Sequence, residues 1–139
     1  MNDRPTAAEL LAAARQFLEA ELIPTLGDAR LRFQTLVAAN VLAIAERELL
    51  TEEEHLREEW RFLAEVLSLA GTAPQRLPEL RQAVFAGNHS LCERIRRGDI
   101  DDPSGFVALA RQLRRMVERK LEVANPRYLA GFRSNAGQG

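Results

Sequence analysis

Residues 36–54 read LVAANVLAIAERELLTEEE, and the way this stretch is folded decides the architecture of the chain. On a helical wheel of 100° per residue, Phe33, Val37, Val41 and Ile44 cover one side while Leu42, Ala38 and Ala39 cover the opposite one. The middle of this segment is apolar all round, which places it at the centre of a helical bundle with neighbours on most sides. Asn40 falls between Leu36, Val37 and Ile44, inside the strongest apolar face. Burying an amide without partners costs on the order of 1–3 kcal/mol, so its carbonyl and NH2 require specific partners. Two roles fit that requirement. One is an interhelical hydrogen bond that fixes register; the other is a small polar pocket in which Asn40 orients a ligand alongside Arg47 or Glu48.

Outward from this helix, drawn at 29–50, Thr51-Glu52-Glu53-Glu54 has the form of a capping box and predicts a new helix over 52–70, stopped by Gly71 in the left-handed conformation. Upstream, Thr6-Ala7-Ala8-Glu9 is a second capping box. It opens a helix over 6–23 whose stripe is Leu10, Leu11, Ala14, Phe17, Leu18 and Leu22, interrupted by Pro24 and Gly27. Downstream, Pro78 suits the first position of a short helix ending near Gly87, and Ser90 begins another ending at Gly98. Asp102-Pro103 opens the last long helix, with Phe106, Leu109, Leu113, Val117, Leu121 and Ala124 as its inner stripe, and Asn125-Pro126 ends it. The small polar residues from Arg133 read as a disordered tail. The expected fold class is all-α: a compact bundle of four longer helices and two short ones forming a single domain over 1–132, with a tail at 133–139.

The chain of 139 residues is long enough for one core, and its 46% hydrophobic and 28% charged residues are those of a globular protein. No run approaches the ~18 apolar residues needed to cross a bilayer, and the first residues lack a basic region followed by an apolar one, so neither a membrane nor export is expected. The single cysteine, Cys92, cannot close an intramolecular disulfide. The expected location is a bacterial-type cytoplasm. The net charge of −1 conceals an asymmetry: residues 1–70 carry 13 acidic and 7 basic side chains, a net −6, whereas 71–139 carry 7 and 12, a net +5. Acidic and basic helix surfaces beside each other, within one fold or across a dimer interface, account for this most simply.

Catalytic chemistry is thinly represented. Glu52-x-x-His55 has a metal-ligand spacing, but only one copy is present, and capping explains the carboxylates. Cys92 has no base beside it in sequence and reads as a small buried hydrophobe. No glycine-rich phosphate loop, dinucleotide fingerprint or nucleophile elbow occurs, so no catalytic residue, metal or cofactor is assigned. The arginines at 94, 96, 97, 111, 114, 115 and 119, with Lys120, suggest phosphate contacts, but the acidic overall charge and 6% aromatic content do not favour nucleic acid. Apart from Asn40, Arg47 and Glu48, the residues Asn125, Arg127 and Tyr128 form a second polar cluster; a helix stop that docks the following segment is its simpler account.

Two stretches, RLRFQTLVAANVLAIAERELL at 30–50 and KLEVANPRYLAGF at 120–132, resemble the signature segments of a small bacterial all-helical family of unassigned function. The resemblance covers most of the chain. It implies a genomic setting beside aminoglycoside-phosphotransferase-like kinases and acyl-CoA dehydrogenases, and hence an accessory role; it carries over no catalytic residue. The expectation is an intracellular accessory or regulatory protein that binds a kinase or acyl-CoA dehydrogenase of acyl-group metabolism and self-associates, as a dimer. The alternative is a binding protein or enzyme for an acyl or CoA-like small molecule, with its pocket near Asn40.

Overall fold

The computed structural model describes residues 4–136, and these are mostly helical, with no strand among the described residues. They group into two compact units, one ending at Glu52 and one beginning at Glu53.

In the first unit, helix α1 (Ala7–Phe17) begins at the expected capping box. The Glu9 N–H donates to Thr6 Oγ1 at 3.2 Å, and the Thr6 N–H donates to Glu9 Oε2 at 2.7 Å. The chain then widens into a π-helical turn (Leu18–Leu22) and a last α turn (Ile23–Thr25). The Ile23 N–H reaches back five residues to the Leu18 carbonyl. Pro24 lacks an N–H and crowds the carbonyl four residues before it, and the wider turn lets the helix pass through it, where the sequence suggested a stop.

Asp28 opens helix α2 (Ala29–Leu67), its Oδ1 accepting from the Leu31 N–H at 2.8 Å. This helix corrects the central expectation about segmentation. Residues 51–54 form no break: Thr51 lies within the helix and its hydroxyl donates to the Arg47 carbonyl at 2.8 Å, the back-bond of a mid-helix threonine. No proline or glycine lies between 29 and 67 to oppose continuation. The helix ends before Gly71: Ser68 takes the left-handed conformation (φ 54°), and the Leu69 N–H bonds the Ala64 carbonyl at 2.9 Å.

The expected enclosure of residues 36–45 is also corrected. Ala39 and Thr35 are buried and Leu42–Ala45 half-buried, whereas Leu36, Val37, Asn40 and Val41 are exposed. Among the described residues of the first unit, α1 is tied to one side of this part of α2. Arg15 marks that side, with Nε and Nη2 at 3.2 and 3.1 Å from Glu46 Oε2. The hydrogen bond to Glu46 holds the Arg15 guanidinium above its ordinary pKa.

In the second unit the two short helices expected at 78–87 and 90–98 are one, α3 (Leu77–Arg96). Gly87 is a contact point and not a stop: a Cβ there would lie 2.9 Å from Leu63 Cδ1. Helix α4 (Pro103–Ala124) starts as expected at Asp102, which accepts from the Gly105 N–H at 2.8 Å. Asn125 ends it, and α5 (Pro126–Ala136) follows. The segment from Arg133 read as a tail is therefore helical to Ala136, and 137–139 lie outside the described residues. The core joins Leu63, Leu80, Val84, Leu91 and Leu109, flanked by Trp60, Phe62, Val66 and Leu113.

Candidate functional site

The residues singled out by sequence fall in two places. Asn40, Arg47 and Glu48 share α2 in the first unit. Asn40 and Arg47 are seven residues apart and so on the same side of the helix. Asn40 and Glu48 are exposed and Arg47 is half-buried. Among the described residues the Asn40 amide stands in the open beside Phe33, Leu36, Val37 and Val41, with Phe33 66% exposed. The reason is steric. The small side chains Thr35 and Ala39 take the buried side, where helices approach closely, and this turns the bulky residues outward.

The second cluster is at the junction of α4 and α5. Asn125 closes α4 through its backbone N–H, which donates to the Leu121 carbonyl at 2.8 Å, while its Oδ1 accepts from the Tyr128 N–H at 3.1 Å and so caps α5. One residue thus ends one helix and starts the next. Arg127 and Tyr128 project into solvent, Tyr128 being 61% exposed. Phe132, one turn further, is stacked by the Arg114 guanidinium 5.5 Å from its ring centroid. Arg114 also donates to Glu118 at 3.0 Å, and Arg133 approaches Glu118 at 3.3 Å and Glu122 at 3.4 Å. The Arg114 hydrogen bond, with that of Arg133, holds the Glu118 carboxyl below its ordinary pKa.

Two features of the second unit were not singled out from sequence. The first is a polar seam between α2, α3 and α4. Asn88 Nδ2 donates to Glu59 Oε1 at 2.5 Å, Lys120 Nζ lies 4.0 Å from the same oxygen, and Arg119 pairs with Glu58 at 3.2 Å. Here carboxylates of the acidic half of the sequence meet cations of the basic half. The charge asymmetry pointed to such pairing, but the partners required the fold. The second feature is an open cleft of about 360 Å³ with an apolar floor of Phe62, Val66, Ile100 and Leu109. Its polar rim includes Glu65, Arg94, Asp99 and Asp102. Arg94 is committed there, donating to the Val66 carbonyl at 2.6 Å in the last turn of α2 and lying 3.8 Å from Asp99. Cys92, expected to be buried, is exposed on α3.

Residues 24–128 match the family described as Domain of unknown function (DUF6285), and the chain belongs to that family. The match takes in the whole exposed face of α2 and the Asn125 cap. No curated protein and no solved structure matches the chain.

Proposed function

We propose that this member of the DUF6285 family is a cytoplasmic accessory or regulatory protein that acts by binding another protein. The partner implied by the resemblance is a kinase or an acyl-CoA dehydrogenase of acyl-group metabolism. The observation that carries the reading is the surface where α4 meets α5. Tyr128 is exposed and Phe132, one turn on and on the same side of α5, stands 44% exposed against Arg114; Arg127, also exposed, lies at the same helix start. Tyrosine, other aromatics and arginine are enriched at protein interfaces, and tyrosine and arginine dominate their binding energy. These side chains project from a double helix cap, so little conformational freedom is lost when they are covered.

The test is retention of the enzyme by tagged protein isolated from its native host. The expected result is that a kinase or dehydrogenase is retained by the wild type and lost with Tyr128→Ala and Phe132→Ala, each weakening binding roughly tenfold or more as hot-spot truncations do. Native mass spectrometry that finds a bound metabolite and no second protein would overturn it.

A second reading, small-molecule binding, is favoured by the cleft between Phe62 and Leu109 more than by Asn40, whose surroundings are open. Three carboxylates, Glu65, Asp99 and Asp102, outnumber Arg94 on that rim. Such a rim suits a cationic or hydroxylated ligand with an apolar body, and it repels the phosphates of a CoA-like molecule. Nucleic acid is favoured least, because Arg114, Arg119 and Arg133 are engaged with carboxylates.

A further inference from the structure

The exposed face of α2 in the first unit raises a question separate from enzyme binding: what covers Phe33, Leu36, Val37 and Val41? Their exposures run from 46% to 66%. Full burial of such a side chain removes roughly 60–120 Å² of apolar surface, so the four expose on the order of 130–260 Å² per copy. With neighbouring residues the face reaches the few hundred Å² at which soluble proteins bind partners. Two such faces bring about 260–520 Å² of apolar surface together, to which the polar flanks add on the way to the ~1,200 Å² of a small stable interface.

The charges at the ends of the face indicate the occupant. Arg30 and Glu48 are 18 residues apart, which is five turns of about 3.6 residues, so they lie on the same flank, roughly 27 Å apart. Both are exposed, and neither makes an ion pair among the described residues. Their midpoint is residue 39, next to Asn40. We infer that this face pairs antiparallel with the same face of a second copy, about a two-fold axis at residue 39. Each Arg30 then meets the second copy's Glu48, twice per dimer, and Val37 meets the second copy's Val41. The two Asn40 amides lie one residue from the axis. An amide is both donor and acceptor, so the pair satisfies itself by reciprocal N–H···O bonds. A parallel pairing would set Arg30 against Arg30 and Glu48 against Glu48. The asparagine thus has a use in an otherwise apolar seam: it selects one register at some cost in affinity. Arg15 and Glu46 remain paired on the other side of the helix and are undisturbed.

The test uses purified full-length chain and measures subunit count by light scattering and native mass spectrometry across a dilution series. The expected result is a dimer. Arg30→Glu and Glu48→Arg each raise its dissociation constant about tenfold, and the double variant restores it to within about threefold. Phe33→Glu gives a monomer that keeps its helical far-UV signal; should that variant unfold, the charge reversals at exposed positions still decide. A wild-type monomer at tens of micromolar, a dimer indifferent to both reversals, or a double variant that fails to recover would overturn the proposal, as would a different protein on this face in material from the host. Enzyme retention through Tyr128 and Phe132 is a separate measurement, so either reading can fail alone.

Discussion

The two units apply the same helical periodicity to different ends. In the second, Leu63 and Leu80 are fully buried, and Val84, Leu91 and Leu109 close around them. In the first, Ile23, Thr35 and Ala39 are buried while Phe33 and Val41 remain exposed. An apolar stripe therefore states what a helix can bury, and the number of neighbouring helices decides what it does bury. The sharpest way to break this contrast is to truncate a core residue of the second unit. Leu63→Ala removes a side chain with no exposed surface and leaves a cavity beside Gly87 and Leu80, so unfolding should require about 2–5 kcal/mol less. Chemical denaturation at two protein concentrations should show the same loss at both.

Gly87→Ala examines the same core from the other side. Helix propensity alone would favour alanine by about 1 kcal/mol. The added Cβ, however, meets Leu63 Cδ1 at 2.9 Å and its Cβ at 3.4 Å, so the fully buried Leu63 must shift to admit it. Overpacking of this kind costs roughly 1–3 kcal/mol, so the net expectation is a loss of about 1 kcal/mol. A gain in melting temperature would mean that Leu63 moves freely and that the core is looser than its burial indicates.

Phe33→Ala carries the comparison into the first unit. At concentrations where the chain is monomeric, it should change stability by less than about 0.5 kcal/mol, because the ring has little protein to lose. At high concentration the same substitution should cost more, since a covered ring is lost with its partner. A large loss independent of concentration would show that the ring is already buried in the isolated chain.

What was legible in the sequence was mostly local chemistry. The Thr6 capping box, the Asp102-Pro103 start and the Asn125-Pro126 junction each involve side-chain and backbone groups within a few residues, so their outcome is nearly independent of the rest of the chain. The all-α class followed from the same periodicity. Signals with two local solutions were harder. Thr51 caps a helix in one context and bonds back to Arg47 in another, and without a proline or glycine nearby the continuous helix prevails. Gly87 can stop a helix or admit a neighbour's side chain, and the presence of Leu63 selects the second. Asn40 depended on neighbours more distant still. The wheel placed it correctly in an apolar face, but burial is a property of what lies opposite, and α1 takes the side lined by small residues. The Glu59, Asn88 and Lys120 grouping joins three helices, so sequence spacing held no trace of it beyond the opposed charges of the two halves.

The smallest expected effect concerns the start of α4, a surface feature of the better-packed unit. Asp102 accepts from the Gly105 N–H at 2.8 Å and from the Ser104 hydroxyl at 2.7 Å. The Gly105 bond first, and the Ser104 bond second, hold its carboxyl below the usual carboxylate range. Because the folded state lowers this pKa, the carboxylate's contribution is fully present above the unfolded value of about 3.9 and is lost as pH falls through the lower folded one. Asp102→Asn retains an oxygen that can accept from Gly105 but removes the titration. The variant should match the wild type below the folded pKa and fall slightly behind it near neutral pH, where the charge at the helix N-terminus is missing. Denaturation midpoints from pH 2 to pH 7 would measure this; identical slopes for the two proteins would show that the Asp102 charge contributes nothing and that the cap acts through its hydrogen bond alone.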